Sequence, residues 1–453
     1  MTDSPANSLA SPSTGFDTPT RKRTNMRTNM RTDKATVAAW AMWDWGSAAF
    51  NAVLVTFIFS VYLTDSVGKQ IDSQFTPAQW LSWSMTVAGL VIFAVTPVMG
   101  QRSDRLGRRR RALGFWSLMT FLAMAALAFI RNDAPVYFWL GLLGLAVGSV
   151  TIQFAEVNYF AQLNQVAEED KVGRVSGLGW SAGYFGGIVL LLICYFGFVS
   201  GDGGALGLST EGGFNMRMVA LLAAIWFGVS ALPVLFRVPE ITPSGGAAGG
   251  VVDSYKELFR TLRDLWQVDR NAVYFLFASA IFRDGLSAVF SFGAVLGVSV
   301  YGLLPGDVLI FGVTANVAAA LGAVIGGLID DHVGPKAIIV TCLITLTAMA
   351  IVMYFASGAT AFWICGLVLC LCVGPAQASA RGFLARVAPA GREGEMFGLY
   401  ATTGRAVSWL TPLLFGLFVS WLGQGDRGGV LAIGLVLLVG ALILIPVRDP
   451  HKS

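Results

Sequence analysis

Six charged residues of this sequence lie inside long runs of apolar residues, where charge is rare. They are Asp44, Glu156, Arg283, Asp284, Arg381 and Arg405. A charged side chain near the centre of a bilayer costs about 2.5–3.5 kcal/mol, and such residues commonly mark substrate or proton pathways. The functional interpretation is therefore substrate or proton binding. The alternative is charge pairing that holds helices in register.

Arg283 and Asp284 are the better functional candidates among the six. Neighbouring positions on a helix do not share a face, so we expect one to face a cavity and the other an adjacent helix. With a rise of about 1.5 Å per residue from a helix start near residue 272, both lie close to mid-membrane. The other four lie nearer the cytoplasmic side.

Two carboxyl groups are candidates for proton coupling, Asp44 and Asp284. Asp44 lies between two tryptophans, and Asn51 follows it by one heptad. Apolar surroundings disfavour the charged form of a carboxyl group, which then binds a proton more readily. Uncharged polar residues in the same runs could contact substrate or only hydrogen-bond between packed helices. These are Gln153, Asn158, Asn316 and Gln377.

Membrane-spanning helices must position these residues. The chain has 453 residues, of which 55% are hydrophobic and only 13% charged, too little charge to cover a soluble protein. Twelve apolar windows are long enough to cross a bilayer, and their continuity favours helices over barrel strands. The windows are 36–63, 79–99, 111–130, 136–160, 175–199, 216–236, 272–300, 307–329, 337–356, 361–381, 396–421 and 429–447.

The composition also argues against several classes of function. A net charge of +4 is too small to indicate nucleic-acid binding, and the sequence has only two His. The five Cys lack metal-ligand spacing, and no phosphate-binding loop motif is present. We therefore predict no metal, no cofactor, no ATP hydrolysis and no enzyme activity. The sequence also lacks rings of like charge and a carbonyl filter signature, the features that would indicate a channel.

The loop Gly100–Arg111 gives the orientation, because it holds six Arg and one Asp between two apolar windows. Most Lys and Arg outside the windows fall on the same side, so this side and both termini are predicted to be cytoplasmic. Residues 1–35 are predicted to be a disordered tail, 237–271 a linker with an amphipathic helix on the inner membrane surface, and 448–453 a second tail. The linker could alternatively bind a regulatory partner.

The two halves of the chain, 36–236 and 272–447, resemble each other. Gly100, Asp104 and Gly107 have the same spacing as Gly327, Asp331 and Gly334, at an offset of 227 residues. A weaker similarity relates Ser176-Gly-Leu to Phe397-Gly-Leu at an offset of 221 residues. Two such similarities in the same order indicate a parallel repeat of six spans.

The loop motif resembles the loop 2–3 motif of the major facilitator superfamily. The matching residues are Gly100, Asp104, Arg105, Gly107, Arg108, Arg109 and Arg110. This resemblance implies an all-α fold of twelve transmembrane helices in two six-helix bundles. It also implies alternating access to a central cavity lined by spans 1, 4, 7 and 10.

A narrower resemblance is to the vacuolar amino-acid effluxers associated with autophagy and their uncharacterised bacterial relatives. It rests on Trp43-Asp44-Trp45, on Gly179–Gly187 in span 5, and on Gln377-Ala378 with Arg381 in span 10. Gln162 departs from the pattern, because Pro is expected there. The resemblance suggests an amino acid or similar zwitterion as substrate.

The superfamily resemblance gives the loop a mechanical role. It implies that Asp104 meets the helix N-terminus of span 11 near Glu395–Phe397, where a carboxylate gains about 0.3–1 kcal/mol. Gly107 would permit a tight turn, with Arg105 and Arg108 as anchors. The alternative, contact with lipid phosphate, suits Arg109–Arg111 better. The copy with Asp331 and Gly334 lacks the Arg run, so we expect an asymmetric latch.

Two further contacts between the halves are predicted. Glu156 and Arg381 are 225 residues apart and should lie at equivalent depths, so we expect a gate ion pair on the cytoplasmic side. Gly183, Gly186 and Gly187 in span 5 are spaced for close helix packing between the halves.

These observations predict a multi-pass secondary active transporter for a small solute. Protons are the expected coupling ion, the bilayer and the solute are the expected partners, and a monomer should suffice. A bacterial inner membrane is the expected location. The alternative is proton-driven efflux of amphipathic drugs or cations.

Overall fold

The structure is a computed structural model. It describes residues 33–75, 77–201, 203–240, 270–303, 305–389, 391–421 and 427–449, with residues 256, 260, 263, 266 and 267 of the linker. The predicted tail 1–35 lies outside the described residues except for its last three. So does most of the predicted amphipathic helix, although its five described residues are helical and exposed.

The described residues form helices and contain no strand. Eleven of these helices are long and apolar enough to cross a bilayer. Numbered in chain order, the spans are Lys34–Gln70, Pro77–Arg105, Arg109–Ala126, Pro135–Ala161, Val172–Cys194, Phe214–Arg237, Arg270–Ser299, Pro305–Val333, Pro335–Phe355, Ala359–Val387, the divided span 11, and Arg427–Leu444. Short helical turns occur at Leu127–Phe129, Leu163–Val166, Glu169–Lys171, Tyr195–Val199 and Glu211–Gly213.

Span 1 changes its helix type along its length. An α-helix covers Lys34–Ala48, and its first turn is capped by Asp33, whose carboxylate accepts the N–H groups of the second and third residues. A π-helical segment, Ala49–Phe57, follows. Such segments are rare and often lie at functional sites. This one begins directly after the turn that carries Asp44.

Span 11 consists of two helices, so the prediction of one continuous span over 396–421 is wrong. The first segment is Glu393–Val407 and the second segment is Leu410–Trp421. Pro412 has no N–H and its ring clashes with the carbonyl four residues earlier, which ends the first segment. The Thr411 N–H lies in the first turn of the second segment and donates to Asp284 Oδ2 of span 7, at 2.7 Å.

The two halves touch where glycines let backbones approach each other. A Cβ on Gly100 of span 2 would lie 2.0 Å from the Gly394 carbonyl oxygen of span 11. A Cβ on Gly177 of span 5 would lie 2.3 Å from the Ala323 carbonyl oxygen of span 8. Both contacts lie toward the side of the molecule that carries the Gly100–Arg111 loop, so the halves are closed on that side.

The second group of glycines in span 5 packs within its own half, contrary to the prediction. A Cβ on Gly186 would lie 2.2 Å from the Trp45 carbonyl oxygen of span 1. Gly187 and Gly183 also face span 1, where a Cβ would lie 3.2 Å from the Ala48 Cβ and 3.4 Å from the Asp44 carbonyl oxygen, respectively. Gly177 and Gly186 are separated by two and a half helical turns and therefore lie on opposite faces of span 5.

Candidate functional site

The predicted contact between Asp104 and the start of span 11 is present. The Glu395 N–H donates to Asp104 Oδ2 at 2.9 Å, and Asp104 is buried. Gly107 has a φ of 63°, a left-handed conformation that favours glycine and turns the chain back into span 3. The loop thus places a carboxylate against a helix N-terminus of the opposite half.

Arg109 is buried at the centre of this contact, so its assignment to lipid phosphate is wrong. Its Nε lies 2.6 Å from Asp104 Oδ1, and its Nη2 lies 2.6 Å from Glu393 Oε2. Both of its acidic partners therefore come from the protein, one from the loop and one from the first turn of span 11. Arg108, by contrast, is exposed.

Asp331 makes the same kind of contact in the other direction. Its two carboxylate oxygens accept the N–H groups of Gly173 and Arg174, at 2.8 and 3.1 Å, at the start of span 5. Arg386 of span 10 binds Asp330 and Asp331 at 2.6 and 3.3 Å. The two contacts are therefore alike in their carboxylate. They differ in the origin of the guanidinium, which comes from span 10 for Asp331 and from the Gly100–Arg111 loop for Asp104. Gly334 has a φ of 92°.

Arg381 pairs with Asp44, so the predicted Glu156–Arg381 gate pair is wrong. Arg381 Nη1 lies 3.0 Å from Asp44 Oδ2, and the Arg381 side chain is only 1% exposed. Its Nε and Nη2 donate to the Ser176 hydroxyl and carbonyl oxygens, at 2.9 and 2.5 Å. Span 10 thus turns Arg381 toward spans 1 and 5, and away from Glu156 of span 4.

Aromatic rings surround the Arg381 guanidinium. Its Cζ lies 4.9, 5.8, 5.0 and 5.6 Å from the ring centroids of Trp40, Tyr159, Phe160 and Trp180. Tyr159 also donates its hydroxyl to Asp44 Oδ2, at 3.0 Å. We call this pocket the Arg381 cage. Its members are Trp40, Asp44, Tyr159, Phe160, Ser176 and Trp180.

Glu156 belongs to a second polar group between the halves. Gln153 Nε2 donates to Glu156 Oε2 at 2.6 Å, and Arg405 Nη2 donates to Gln153 Oε1 at 3.4 Å. A Cβ on Gly404 would lie 3.1 Å from Arg283 Nη1, so Arg283 packs against the turn of span 11 that carries Arg405. Spans 4, 7 and 11 thus bring one carboxyl group and two guanidinium groups together.

Arg283 and Asp284 face different surroundings. The Arg283 Cζ lies 3.8 Å from the Tyr400 ring centroid, and its Nη1 donates to the Tyr400 carbonyl oxygen at 3.1 Å. Asp284 is 9% exposed and accepts both the N–H and the hydroxyl of Thr411, at 2.7 and 2.6 Å. Arg283 is thus a partly exposed member of the polar group that contains Glu156 and Arg405, while Asp284 binds span 11.

Three further polar candidates differ in their burial. Asn158 is buried and donates to the Phe154 carbonyl oxygen of its own helix at 2.8 Å, which is a packing contact. Asn51 is exposed in the π-helical segment, and Gln377 is partly buried one helical turn before Arg381.

Sequence reasoning missed several residues of the site. Ser176 entered only as part of a repeat, and Tyr159 and Thr411 were not considered. The signals were weak but present: Trp40 precedes Asp44 by one helical turn, and Pro412 marks the break in span 11. Hydropathy alone did not register either signal, because Trp, Tyr and Thr fit any apolar helix.

Known structures match this arrangement of helices over almost the whole chain. The proton:xylose symporter XylE superposes with a TM-score of 0.71 at 14% identity, covering 92% of this chain and 96% of that one. FucP in an outward conformation gives 0.68 at 15% identity, covering 92% and 100%. Both matches show the fold of this chain, which is that of the major facilitator superfamily.

Within that class, the chain belongs to the family described as "Vacuole effluxer Atg22 like", whose profile matches residues 76–452. An uncharacterised transporter of Bacillus subtilis, YxiO, is 24% identical over 419 residues, which is 92% of this chain and 95% of that protein. Autophagy-related protein 22-2 of Aspergillus clavatus is 23% identical over 57% of this chain, but this match spans only 45% of the fungal protein.

Proposed function

We propose that this protein moves an amino acid or a similar zwitterion across a bacterial inner membrane, driven by protons. Alternating access would expose the site first to one side and then to the other. The polar group of Glu156, Arg283 and Arg405 is the observation that carries the proposal.

The charges of this group complement a zwitterion. Two guanidinium groups suit a substrate carboxylate, because Arg binds carboxylates with planar, paired hydrogen bonds. Glu156 suits an ammonium group or a proton. The residues come from both halves, so a solute bound among them would be sensitive to the relative movement of the halves.

Proton coupling is supported by the number of carboxyl groups along this region. Asp44, Glu156 and Asp284 each lie in a span and are at least partly buried. Two structural neighbours, XylE and FucP, are proton symporters of sugars. We expect one or more of these carboxyl groups to load and release a proton during the cycle.

Efflux of amphipathic cations is the alternative. The Arg381 cage favours it, because aromatic faces and a carboxylate attract cations. The two arginines beside Glu156 oppose it, since they would repel a purely cationic solute. The name of the family is consistent with export in either case.

Counterflow in proteoliposomes tests the proposal. Vesicles loaded with unlabelled leucine, glutamate or lysine are diluted into the labelled amino acid, with and without a pH gradient. We expect accumulation of at least one amino acid, faster with the gradient. Arg283→Gln should abolish it, while Arg131→Gln, which removes a half-exposed surface pair with Asp133, should not.

The opposite result is equally clear. If no amino acid exchanges but a lipophilic cation such as tetraphenylphosphonium is extruded against a pH gradient, the alternative replaces the proposal. Without a pH gradient, uptake that neither depends on internal solute nor saturates with external solute would indicate a channel.

A further inference from the structure

The Arg381 cage is built from the first half of the molecule and occupied by the second. Its six members lie on spans 1, 4 and 5, whereas Arg381 extends from span 10. The guanidinium is therefore bound in the manner of a ligand, with ionic, hydrogen-bonding and aromatic contacts. No other half-to-half contact among the described residues surrounds a charged group with four aromatic rings.

The walls of the cage are positioned by their own contacts. The Tyr159 ring stacks between those of Trp40 and Trp43, with centroids 4.4 and 4.3 Å apart. Trp40 Nε1 donates to the Tyr159 carbonyl oxygen at 3.2 Å. These contacts lie within the first half, so the cage does not depend on Arg381 for its shape.

The space that the guanidinium fills is kept open by Gly179. A Cβ at this position would lie 2.7 Å from Arg381 Nη2, 2.8 Å from Asp44 Oδ2 and 2.8 Å from Trp40. Any larger residue would obstruct the cage. Span 5 therefore carries a glycine at the point where it lines the pocket.

Opening the molecule on this side must withdraw Arg381. The cage belongs to one half and Arg381 to the other, so separating the halves removes the cation and leaves Asp44 facing an aromatic pocket. The aromatic faces and the Asp44 carboxylate remain together in the first half and attract a cation. A cation from solution can therefore take the place of the guanidinium.

We propose that the vacated cage binds a cationic group of the transported solute, and that Arg381 is its internal competitor. This inference rests on the proposed alternating-access function and specifies what the site recognises. When the halves close again, Arg381 returns and displaces the cationic group, which leaves the solute free to depart on the opposite side.

The chemistry of the cage selects organic cations. Aromatic faces attract ammonium and guanidinium groups, with tryptophan the most effective ring. An inorganic cation such as Mg²⁺ or Ca²⁺ needs six or more oxygen ligands, and the cage offers only the Asp44 carboxylate and the Ser176 oxygens. We therefore expect primary ammonium, guanidinium and methylated ammonium groups to bind.

The unoccupied cage can be tested directly with the full-length chain. Arg381→Gln removes the competitor, and binding of methylguanidinium or tetramethylammonium is followed by quenching of tryptophan fluorescence in detergent. We expect at least tenfold tighter binding than in the wild-type chain. Arg381→Lys keeps the internal cation and should bind as weakly as wild type, while Arg131→Gln serves as the surface control.

A second substitution identifies the cage as the site of binding. In the Arg381→Gln background, Asp44→Asn replaces the carboxylate with a group of the same shape, and the gain in affinity should disappear. Equal affinity of Arg381→Gln and wild type would overturn the proposal. So would tight binding that survives the Asp44→Asn substitution.

A chain that keeps Arg381 provides a measurement that does not need a folded Arg381→Gln variant. Spin labels at Arg108→Cys and Val333→Cys, two exposed positions in different halves, report separation on the loop side. Methylguanidinium should lengthen this distance, and Asp44→Asn should prevent the change. An unchanged distance would overturn the proposal. Because neither readout requires transport, a failed counterflow assay and a failed cage are distinguishable.

Discussion

Asp104 and Asp331 lie at equivalent positions of the two halves, and each caps the first turn of a helix in the opposite half. Asp104 accepts the Glu395 N–H of span 11, and Asp331 accepts the Gly173 N–H of span 5. A buried guanidinium braces each carboxylate, from Arg109 in one case and from Arg386 in the other. The repeat in the sequence thus corresponds to a reciprocal pair of contacts that close one side of the molecule.

The two capping carboxylates are predicted to stabilise the closed form to a similar degree. Asp104→Asn and Asp331→Asn each weaken a hydrogen bond to a charged group, worth about 1.5–3 kcal/mol. Each should therefore shift the closed–open equilibrium toward the open form by about tenfold or more, as measured with the labels at positions 108 and 333. The surface substitution Asp133→Asn is the control. An Asp104→Asn variant that transports normally would contradict this account.

Asp44 and Arg381 are predicted to be energetically coupled. Removing one partner of a buried pair costs about 3–5 kcal/mol, because the other charge is left unpaired, whereas removing both costs less. The thermal stability of Asp44→Asn/Arg381→Gln in detergent should therefore exceed that expected from the two single variants. Glu156→Gln combined with Arg381→Gln should show additive effects. If the Asp44 and Arg381 substitutions were additive and the Glu156 and Arg381 substitutions were coupled, Arg381 would instead pair with Glu156.

Two glycines of span 5 should respond differently to the same substitution. Gly177→Ala places a methyl group against span 8 of the other half, so it should favour the open form with little change in melting temperature. Gly186→Ala places a methyl group against span 1 of the same half, so it should lower stability by about 1–3 kcal/mol. Label distances and thermal unfolding measure the two effects. Identical behaviour of both variants would contradict the assignment of their faces.

The Asp284–Thr411 contact should hold the two segments of span 11 in register with span 7. Thr411→Val removes the hydroxyl donor and should destabilise the protein by about 1.5–3 kcal/mol, while Thr411→Ser keeps it and should not.

Asp284→Asn removes the carboxylate that we propose as a proton carrier, so the pH dependence of counterflow should weaken. A pH profile identical to that of wild type would exclude Asp284 from coupling.

The spans themselves were predictable because hydrophobic length alone decides which segments cross a bilayer. The capping role of Asp104 was also expected, because the resemblance of its loop to the major facilitator motif implies it. The sequence did not predict Asp44 as the partner of Arg381. An offset between repeats predicts that two residues lie at equivalent depth, but it does not say which face of a helix each one occupies, and Arg381 faces span 1.

The sequence did not predict the break in span 11 or the packing of Gly186, for a related reason. The residues around Ser408 and Trp409 remain apolar enough to extend the window, so hydropathy passes over the interruption. The side to which Gly186 packs depends on how span 5 is rotated about its axis. Rotation is fixed by contacts with spans 1 and 8, which are distant in sequence.

The division of span 11 has a consequence for how the molecule changes shape. Its first segment is fastened at Asp104 to one half, whereas its second segment is fastened at Asp284 to the other. Hence the dividing line between the two moving bodies runs through a transmembrane helix as well as through the linker. Ser408 and Trp409, the two residues between the segments, are where that helix can flex.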